Sequence, residues 1–214
     1  MNDFSTTAAT VSAAAPWPAL LLIGPTASGK TPLGDRLQET GLDGRRHAHF
    51  DFGVQLRAAA SGGAAAQHLT RPEIAIVTTC LRTGALLENE TFGIAQKLLV
   101  GFAASAILNT GDRLILNGLP RHRAQARMLA PLTQVERVLE LDCDAETVMA
   151  RVRSNSGGDR NGRGDDTDAA IRRRLQIYRS RTRPLIDFYR QAGAQVARLQ
   201  VEPDSTPESL LSQL

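Results

Sequence analysis

The sequence predicts an α/β fold in which helices cover both faces of a five-stranded parallel sheet. Five short apolar runs carry this prediction, and longer stretches with helical spacing separate them. The chain has 214 residues, of which 42% are hydrophobic, so it fits one doubly wound, three-layer domain with small insertions. We place the strands at residues 19–23, 48–51, 113–117, 135–141 and 195–201.

The first residues and two internal stretches stand outside this alternation. Residues 1–18 are rich in Ala, Ser and Thr and carry no basic residue, so we expect a disordered tail rather than a secretory or transit segment before a domain at 19–214. Residues 52–89 are predicted to form a small insertion of helices, broken at 61–63 and at Gly84. Residues 154–165 contain four glycines and no apolar side chain, which is typical of a mobile surface loop.

Composition excludes several classes of function. The formal net charge is only +3, although the chain holds 23 arginines against two lysines, so we expect no nucleic-acid partner. No apolar run approaches the roughly 18 residues that span a bilayer, so we expect no membrane partner either. Cys80 and Cys143 are too few for a disulfide framework or a four-cysteine zinc site. These features predict a cytoplasmic monomer that acts on small molecules.

The first strand leads directly into a phosphate-binding motif. Residues 24–31, GPTASGKT, match G-x-x-x-x-G-K-[ST] between a strand and a helix, which is the context that a P-loop requires. In such a loop the backbone N–H groups and the helix N-terminus face the phosphates, Lys30 adds a positive charge, and the Thr31 hydroxyl is the expected Mg²⁺ ligand. We therefore predict binding of a nucleoside triphosphate together with Mg²⁺. The residues expected to bind them are Gly24, Ala27, Ser28, Gly29, Lys30 and Thr31.

Further polar clusters follow the next strands. The second strand leads through Asp51 into a helix that carries Arg57, and NGLPR at 117–121 follows the third strand, with Gln125 four residues on. The last long helix shows an apolar stripe with steps of four and three residues, and Pro184 is expected to kink or break it. The stripe consists of Ile171, Leu175, Tyr178, Thr182, Leu185 and Tyr189.

The order of these segments resembles that of the adenylate kinase family of nucleoside monophosphate kinases. The matching segments are the P-loop, DFGVQLR at 51–57, NGLPR at 117–121 and GRGDD at 162–166, and the resemblance covers roughly residues 20–201. It implies transfer of the γ-phosphoryl group of ATP to a nucleoside monophosphate. The insertion at residues 52–89 would bind this acceptor. Residues 154–165 would form a short lid that closes over the phosphates and excludes water.

The resemblance also implies roles for individual residues. Arg57 and Arg121 would clamp the acceptor phosphate with planar guanidinium groups, and Gln125 would read the acceptor base. The implied acceptor site consists of Phe52, Gly53, Arg57, Gly84, Leu87, Gly118, Arg121 and Gln125. The implied catalytic residues are Lys30, Arg121, Arg151, Arg163 and Arg174, and the lid would be held by Asp165 and Asp166.

Three positions depart from the family pattern. Phe52 replaces a threonine, Val54 replaces an aspartate, and Asn117 replaces the aspartate that normally holds the water shell of Mg²⁺. Asn117 keeps an oxygen but loses the charge that a hard cation prefers. Asp51, at the neighbouring strand end, either supplies that charge or is only a helix N-cap. The expected metal ligands are therefore Thr31, Asn117 and Asp51.

Other functions stay open at this point. A P-loop kinase that phosphorylates a hydroxyl group of a small molecule would use a carboxylate such as Asp51, and a nucleotide-binding protein with degenerate catalysis would share the P-loop. The loop sequence is also similar to that of tRNA dimethylallyltransferases, but this similarity covers the loop alone, and the chain is short for that family.

Overall fold

The structure, a computed structural model, describes residues 15–106, 109, 111–158 and 167–214. Its strands are β1 (Trp17–Ile23), β2 (His47–Asp51), β3 (Arg113–Asn117), β4 (Thr133–Asp142) and β5 (Gln195–Gln200). They form one sheet in the order β2-β3-β1-β4-β5, and every neighbouring pair is parallel. The predicted α/β class with a five-stranded parallel sheet is confirmed.

Three strands are longer than the sequence predicts, β2 by one residue and β1 and β4 by more. β1 begins at Trp17 rather than at residue 19, because Trp17 N donates to Leu132 O at 2.9 Å and the first residues of β1 pair with the start of β4. β4 is extended for the same reason and begins at Thr133. Only residues 15–18 of the expected tail are described. In the described part of the chain, no helix combines the length and the apolar character that crossing a membrane requires.

Helices lie on both faces of the sheet. The helices are α1 (Lys30–Thr40), α2 (Phe52–Ala60), α3 (Arg71–Thr83), α4 (Gly93–Ser105), α5 (Arg123–Leu129), α6 (Ala145–Ser154), α7 (Asp168–Ile177), α8 (Leu185–Gln191) and α9 (Pro207–Leu211). In β1, Leu21 and Ile23 pack into an apolar cluster with α4, α5 and α8, whereas Leu20 and Leu22 pack with α1 and α9. Burial on both faces explains why β1 is a continuous apolar run rather than an alternating one.

The insertion after β2 contains α2, a 3-10 turn at Ala64–His68, and α3. α2 ends before residues 61–63, and α3 ends before Gly84, whose φ of 68° lies in the left-handed region that glycine favours, so both predicted breaks are confirmed. Thr70 and Glu73 form a capping box at the start of α3. Glu73 Oε1 also lies 2.6 Å from Lys97 Nζ on α4, and this ion pair fixes the insertion to the central domain.

The predicted interruption near Pro184 is a π-helical turn. α7 ends at Ile177, the turn spans Tyr178–Thr182, and α8 begins at Leu185. Arg183 N donates to Tyr178 O, five residues earlier, at 2.8 Å. A proline cannot donate in a helix, and its ring crowds the carbonyl four residues earlier, so the chain widens by one residue before it. The turn directs side chains of this segment towards the carboxyl edge of the sheet, where the candidate site lies.

Candidate active site

Three neighbouring strands, β2, β3 and β1, end at one cleft of about 300 Å³. The carboxyl ends of parallel strands meet at the same edge of a sheet, which is where α/β proteins bind ligands. The cleft brings together most of the residues that the sequence singled out. Those that line it are Gly24, Ala27, Gly29, Lys30, Thr31, Asp51, Phe52, Gly53, Arg57, Gly84, Leu87, Asn117, Gly118, Arg121, Gln125 and Arg174.

The P-loop joins β1 to α1 with two residues in the left-handed region, Ala27 at φ 59° and Gly29 at φ 91°. Gly24 must be small, since a Cβ there would lie 2.5 Å from Ser28 Oγ and 2.9 Å from Leu141 O. Ser28 itself is fully buried and donates to Pro25 O at 3.0 Å, so it supports the loop from within. The turn therefore brings backbone N–H groups and the N-terminus of α1 to one wall of the cleft.

Lys30 folds over the P-loop. Its Nζ lies 2.9 Å from Gly24 O and 2.5 Å from Pro25 O, and 3.3 Å from Ser28 Oγ. The ammonium group is thereby held at the mouth of the loop by neutral acceptors. Neutral carbonyl groups bind an ammonium more weakly than charged phosphate oxygens do, so an incoming phosphate competes effectively for this cation.

The two oxygens of Asp51 have different partners. Its Oδ1 accepts from Val54 N at 3.0 Å and caps α2. Its Oδ2 accepts from Thr31 Oγ1 at 2.6 Å and from Asn117 Nδ2 at 2.8 Å. One carboxylate oxygen is thus structural, while the other joins the P-loop to the end of β3 inside the cleft.

The donor set of Thr31, Asp51 and Asn117 fits Mg²⁺ by its chemistry. It offers a hydroxyl, a carboxylate and an amide, and the amide N–H groups of Asn117 are occupied by Asp51 and its neighbours, which leaves Oδ1 as the ligating atom. No cluster of three His, Cys, Asp or Glu side chains suited to a metal occurs in the described residues. A cation here would therefore depend on the phosphates of the nucleotide, as Mg²⁺ usually does.

Three arginines line the same cleft as the P-loop: Arg57, Arg121 and Arg174. Burial and the neighbouring Arg174 guanidinium lower the pKa of Arg121, whereas Asp51 raises it, and the net effect is a decrease. Arg121 Nε donates to Gly118 O at 2.9 Å, which orients the guanidinium. Guanidinium groups stay protonated, so two like charges are held together in a partly dehydrated cleft, and this arrangement favours a bound anion with several charges.

Gln125 is engaged by the protein itself. Its Oε1 accepts from Arg121 N at 2.8 Å, and its Nε2 donates to Leu87 O at 2.8 Å. These contacts fix the turn that carries Arg121 and tie it to the end of the insertion. Phe52 is also mainly a packing residue, because it is 6% exposed and stacks on Phe50 with ring centroids 6.2 Å apart. Most of the Phe52 ring is therefore occupied by packing in the core rather than presented to the cleft.

Arg151 lies under the P-loop, is 2% exposed and does not line the cleft. Its Nε donates to Ala27 O at 2.8 Å, and its Nη1 donates to the carbonyl oxygens of Glu202, Pro203 and Ser205 at 2.9–3.2 Å. These contacts support the P-loop, and the implied role of Arg151 at the transferred phosphoryl group stays a prediction. A guanidinium at this position can satisfy several carbonyl groups at once, which explains the burial of its charge.

The sequence analysis missed two cleft residues, Tyr178 and Thr182, which it placed in a buried apolar stripe. Both lie on the π-helical turn and line the cleft. Thr182 Oγ1 donates to Arg121 O at 3.0 Å, and burial, with a smaller contribution from Glu140, raises the pKa of Tyr178, which keeps its phenol neutral. The signal that could have identified them was Pro184, since a widened turn shifts side chains out of the regular stripe. The predicted lid residues Arg163, Asp165 and Asp166 lie outside the described residues.

Comparison with known proteins gives consistent results. The family model described as adenylate kinase matches residues 22–194. An adenylate kinase of Synechococcus sp. (strain WH7803) is 32% identical over 91% of this chain and 95% of its own, and one of Prochlorococcus marinus (strain MIT 9211) is 34% identical over 86% and 89%. Among solved structures, an unliganded sugar kinase from Janibacter sp. HTCC2649 matches 92% of both chains with a TM-score of 0.53 and 16% identity, which supports the fold alone.

Proposed function

Because the chain belongs to the adenylate kinase family, we propose that it transfers the γ-phosphoryl group of ATP to the phosphate of a nucleoside monophosphate. The observation that carries this proposal is the pairing of a P-loop with Arg57, Arg121 and Arg174 in one cleft. The P-loop accounts for one polyphosphate, and the arginines account for a second phosphate group. The proposed products are ADP and a nucleoside diphosphate.

In this proposal the protein positions the phosphates and offsets their charge. The attacking oxygen of a monophosphate is already ionised near neutral pH, so no general base is needed. Lys30 and the loop N–H groups bind the donor, while Arg57 and Arg121 hold the acceptor in line with it. Arg174 faces Arg121 and stabilises negative charge on the transferred group. The residues proposed to hold Mg²⁺ with the triphosphate are Thr31, Asp51 and Asn117, and the cation would neutralise charge on the β- and γ-phosphates.

The test is an assay of ADP formation with AMP, CMP, UMP, GMP and dTMP as acceptors, each compared with ATP alone. We expect at least one monophosphate to raise turnover above the rate of ATP hydrolysis. Arg57→Ala should then raise the KM for that acceptor about tenfold or more, because a charge-assisted contact is lost. Arg82→Ala is the matched control, since Arg82 is an exposed arginine of the same insertion that does not line the cleft.

Asp51 favours a second candidate function. Its carboxylate lies in the cleft between the P-loop and the proposed acceptor side, where it could accept the proton of an attacking hydroxyl group. A kinase acting on a hydroxyl group of a small molecule would need this base, whereas transfer to a phosphate would not. If no monophosphate supports turnover, hydroxyl compounds that bear a phosphate or carboxylate for the arginines are the acceptors to assay next.

A further inference from the structure

His49 connects the candidate metal ligands to the outer surface of α1. It lies on β2, and its side chain is 3% exposed. Its Nδ1 is 2.8 Å from Asp35 Oδ1 on α1, and its Nε2 is 3.4 Å from Asn117 Nδ2 on β3. The imidazole therefore bridges two elements that flank the cleft, although it does not line the cleft itself.

The partners of the ring define the direction of each hydrogen bond. A carboxylate oxygen accepts, so in the tautomer that matches this contact Nδ1 donates to Asp35 Oδ1 and Nε2 is the acceptor on the other side of the ring. Asn117 Nδ2 has two N–H groups within reach of three acceptors: Asp51 Oδ2 at 2.8 Å, Thr31 Oγ1 at 3.2 Å and His49 Nε2 at 3.4 Å. All three contacts place the NH₂ branch of the amide on this side. A flipped amide would place Oδ1 against these acceptors.

Gly34 makes room for this arrangement. A Cβ at residue 34 would lie 2.3 Å from His49 Nε2, so only glycine lets the ring pack against α1. Glycine within a helix is unfavourable, and its presence here is accounted for by the space that the imidazole needs. The other buried histidine of β2, His47, is not linked to the cleft, since its Nδ1 contacts Arg45 O and its Nε2 has no hydrogen-bond partner.

We propose that His49 is a positioning residue that fixes the amide of Asn117, and through it Asp51 and Thr31, in the arrangement that binds the Mg²⁺–nucleotide complex. The inference rests on the proposed function, because it concerns the same metal ligands. Groups that orient metal ligands typically change metal affinity by about 10- to 100-fold when removed. Since the 3.4 Å contact of His49 is long, we expect an effect near the lower limit.

The test compares ATP binding with Mg²⁺ and with EDTA by isothermal titration calorimetry. In the wild type, Mg²⁺ should tighten binding. His49→Phe should reduce this Mg²⁺-dependent gain about tenfold while binding in EDTA stays unchanged. His49→Gln can place an amide oxygen near the position of Nε2 and should retain most of the gain. His47→Phe is the matched control on the same strand and should behave as the wild type.

Two results would overturn the inference: an undiminished Mg²⁺-dependent gain in His49→Phe, or an equal loss in His47→Phe. If the wild type shows no gain with Mg²⁺, the proposed metal site fails as well, and this outcome is visible before any variant is made. Should His49→Phe fail to fold, the exposed partner Asp35 gives a milder test. Asp35→Ala should reduce the gain two- to threefold and Asp35→Asn should not, and equal behaviour of the two would contradict the proposed chain of hydrogen bonds.

Discussion

The two oxygens of Asp51 predict that its structural and functional roles can be separated by substitution. Asp51→Asn keeps an oxygen for the N–H of Val54 and should leave α2 capped, because Asn and Asp are equally good N-caps. Asp51→Ala removes the cap and the charge together. We expect both variants to lose activity but only Asp51→Ala to lose stability, by about 1 kcal/mol in the free energy of unfolding.

The expected loss of activity follows from the negative charge at Oδ2, which lies 2.6 Å from Thr31 Oγ1 and 2.8 Å from Asn117 Nδ2. Asp51→Asn removes this charge from the proposed metal site, and a loss of about 3 kcal/mol in electrostatic stabilisation of the transition state corresponds to roughly a hundredfold decrease in turnover. This agrees with the effect of about 10²–10³ that removal of one preorganised electrostatic group has in other enzymes.

The decisive experiment returns the carboxylate to the neighbouring strand. Asn117→Asp in the Asp51→Asn background restores the charge and lets an amide at position 51 donate to it, so Mg²⁺-dependent turnover should recover at least tenfold relative to Asp51→Asn. Turnover is measured over a range of Mg²⁺ concentrations with the monophosphate that supports turnover in the acceptor assay. Urea unfolding measures the stability of each variant. Wild-type turnover in Asp51→Asn, or no recovery in the double variant, would refute the assignment of Asp51 to the metal site.

Further predictions concern the P-loop, the packing of α1 and the docking of the insertion. Lys30→Ala should lower turnover about a hundredfold or more without lowering the melting temperature, and unchanged turnover would argue against any phosphate-binding role of the loop. Gly34→Ala should destabilise the protein to urea by about 1–3 kcal/mol because the new Cβ would overlap the histidine ring packed on it, whereas Gly93→Ala, where nothing lies within 4 Å, should not. The hydrogen bond from Lys97 lowers the pKa of Glu73 from 4.5, so the stability that this carboxylate contributes is present above that pH and is lost as the pH falls below it. When unfolding is measured as the pH is lowered, Glu73→Gln should lose less free energy of unfolding than the wild type, by under about 1 kcal/mol because the ion pair is partly exposed. An equal loss in the variant and the wild type would contradict this contribution.

The parts of the site that the sequence predicted well are those encoded by short segments. The P-loop is one continuous motif between a strand and a helix. Asp51 and Asn117 end β2 and β3, and Arg121 follows four residues after β3, so the strand pattern brings all three to one edge of the sheet. Parallel strands place consecutive carboxyl ends together whatever the connecting helices do. The breaks between the helices that follow β2 were also predicted from short segments, because glycines mark them at residues 61–63 and at Gly84.

The parts that could not be predicted depend on contacts between distant segments. Arg151 satisfies carbonyl groups that lie about fifty residues further along the chain, and no local pattern distinguishes such an arginine from one that faces a phosphate. Gln125 forms its contacts with Arg121 and Leu87 in a similar way. For Asp51, sequence reasoning treated the cap and the metal ligand as alternatives, whereas a carboxylate has two oxygens and can serve both.

The contacts of Arg151 have a consequence for how the sequence can change. The guanidinium binds main-chain carbonyl groups of residues 202–205, while the side chains of Glu202 and Pro203 are exposed. Substitutions at these two positions therefore leave its acceptors in place. An insertion or deletion in this turn would move these acceptors away from Nη1 of the buried guanidinium beneath the P-loop. The length of the turn at residues 202–205, rather than the identity of its exposed side chains, is thus constrained by its contacts with Arg151.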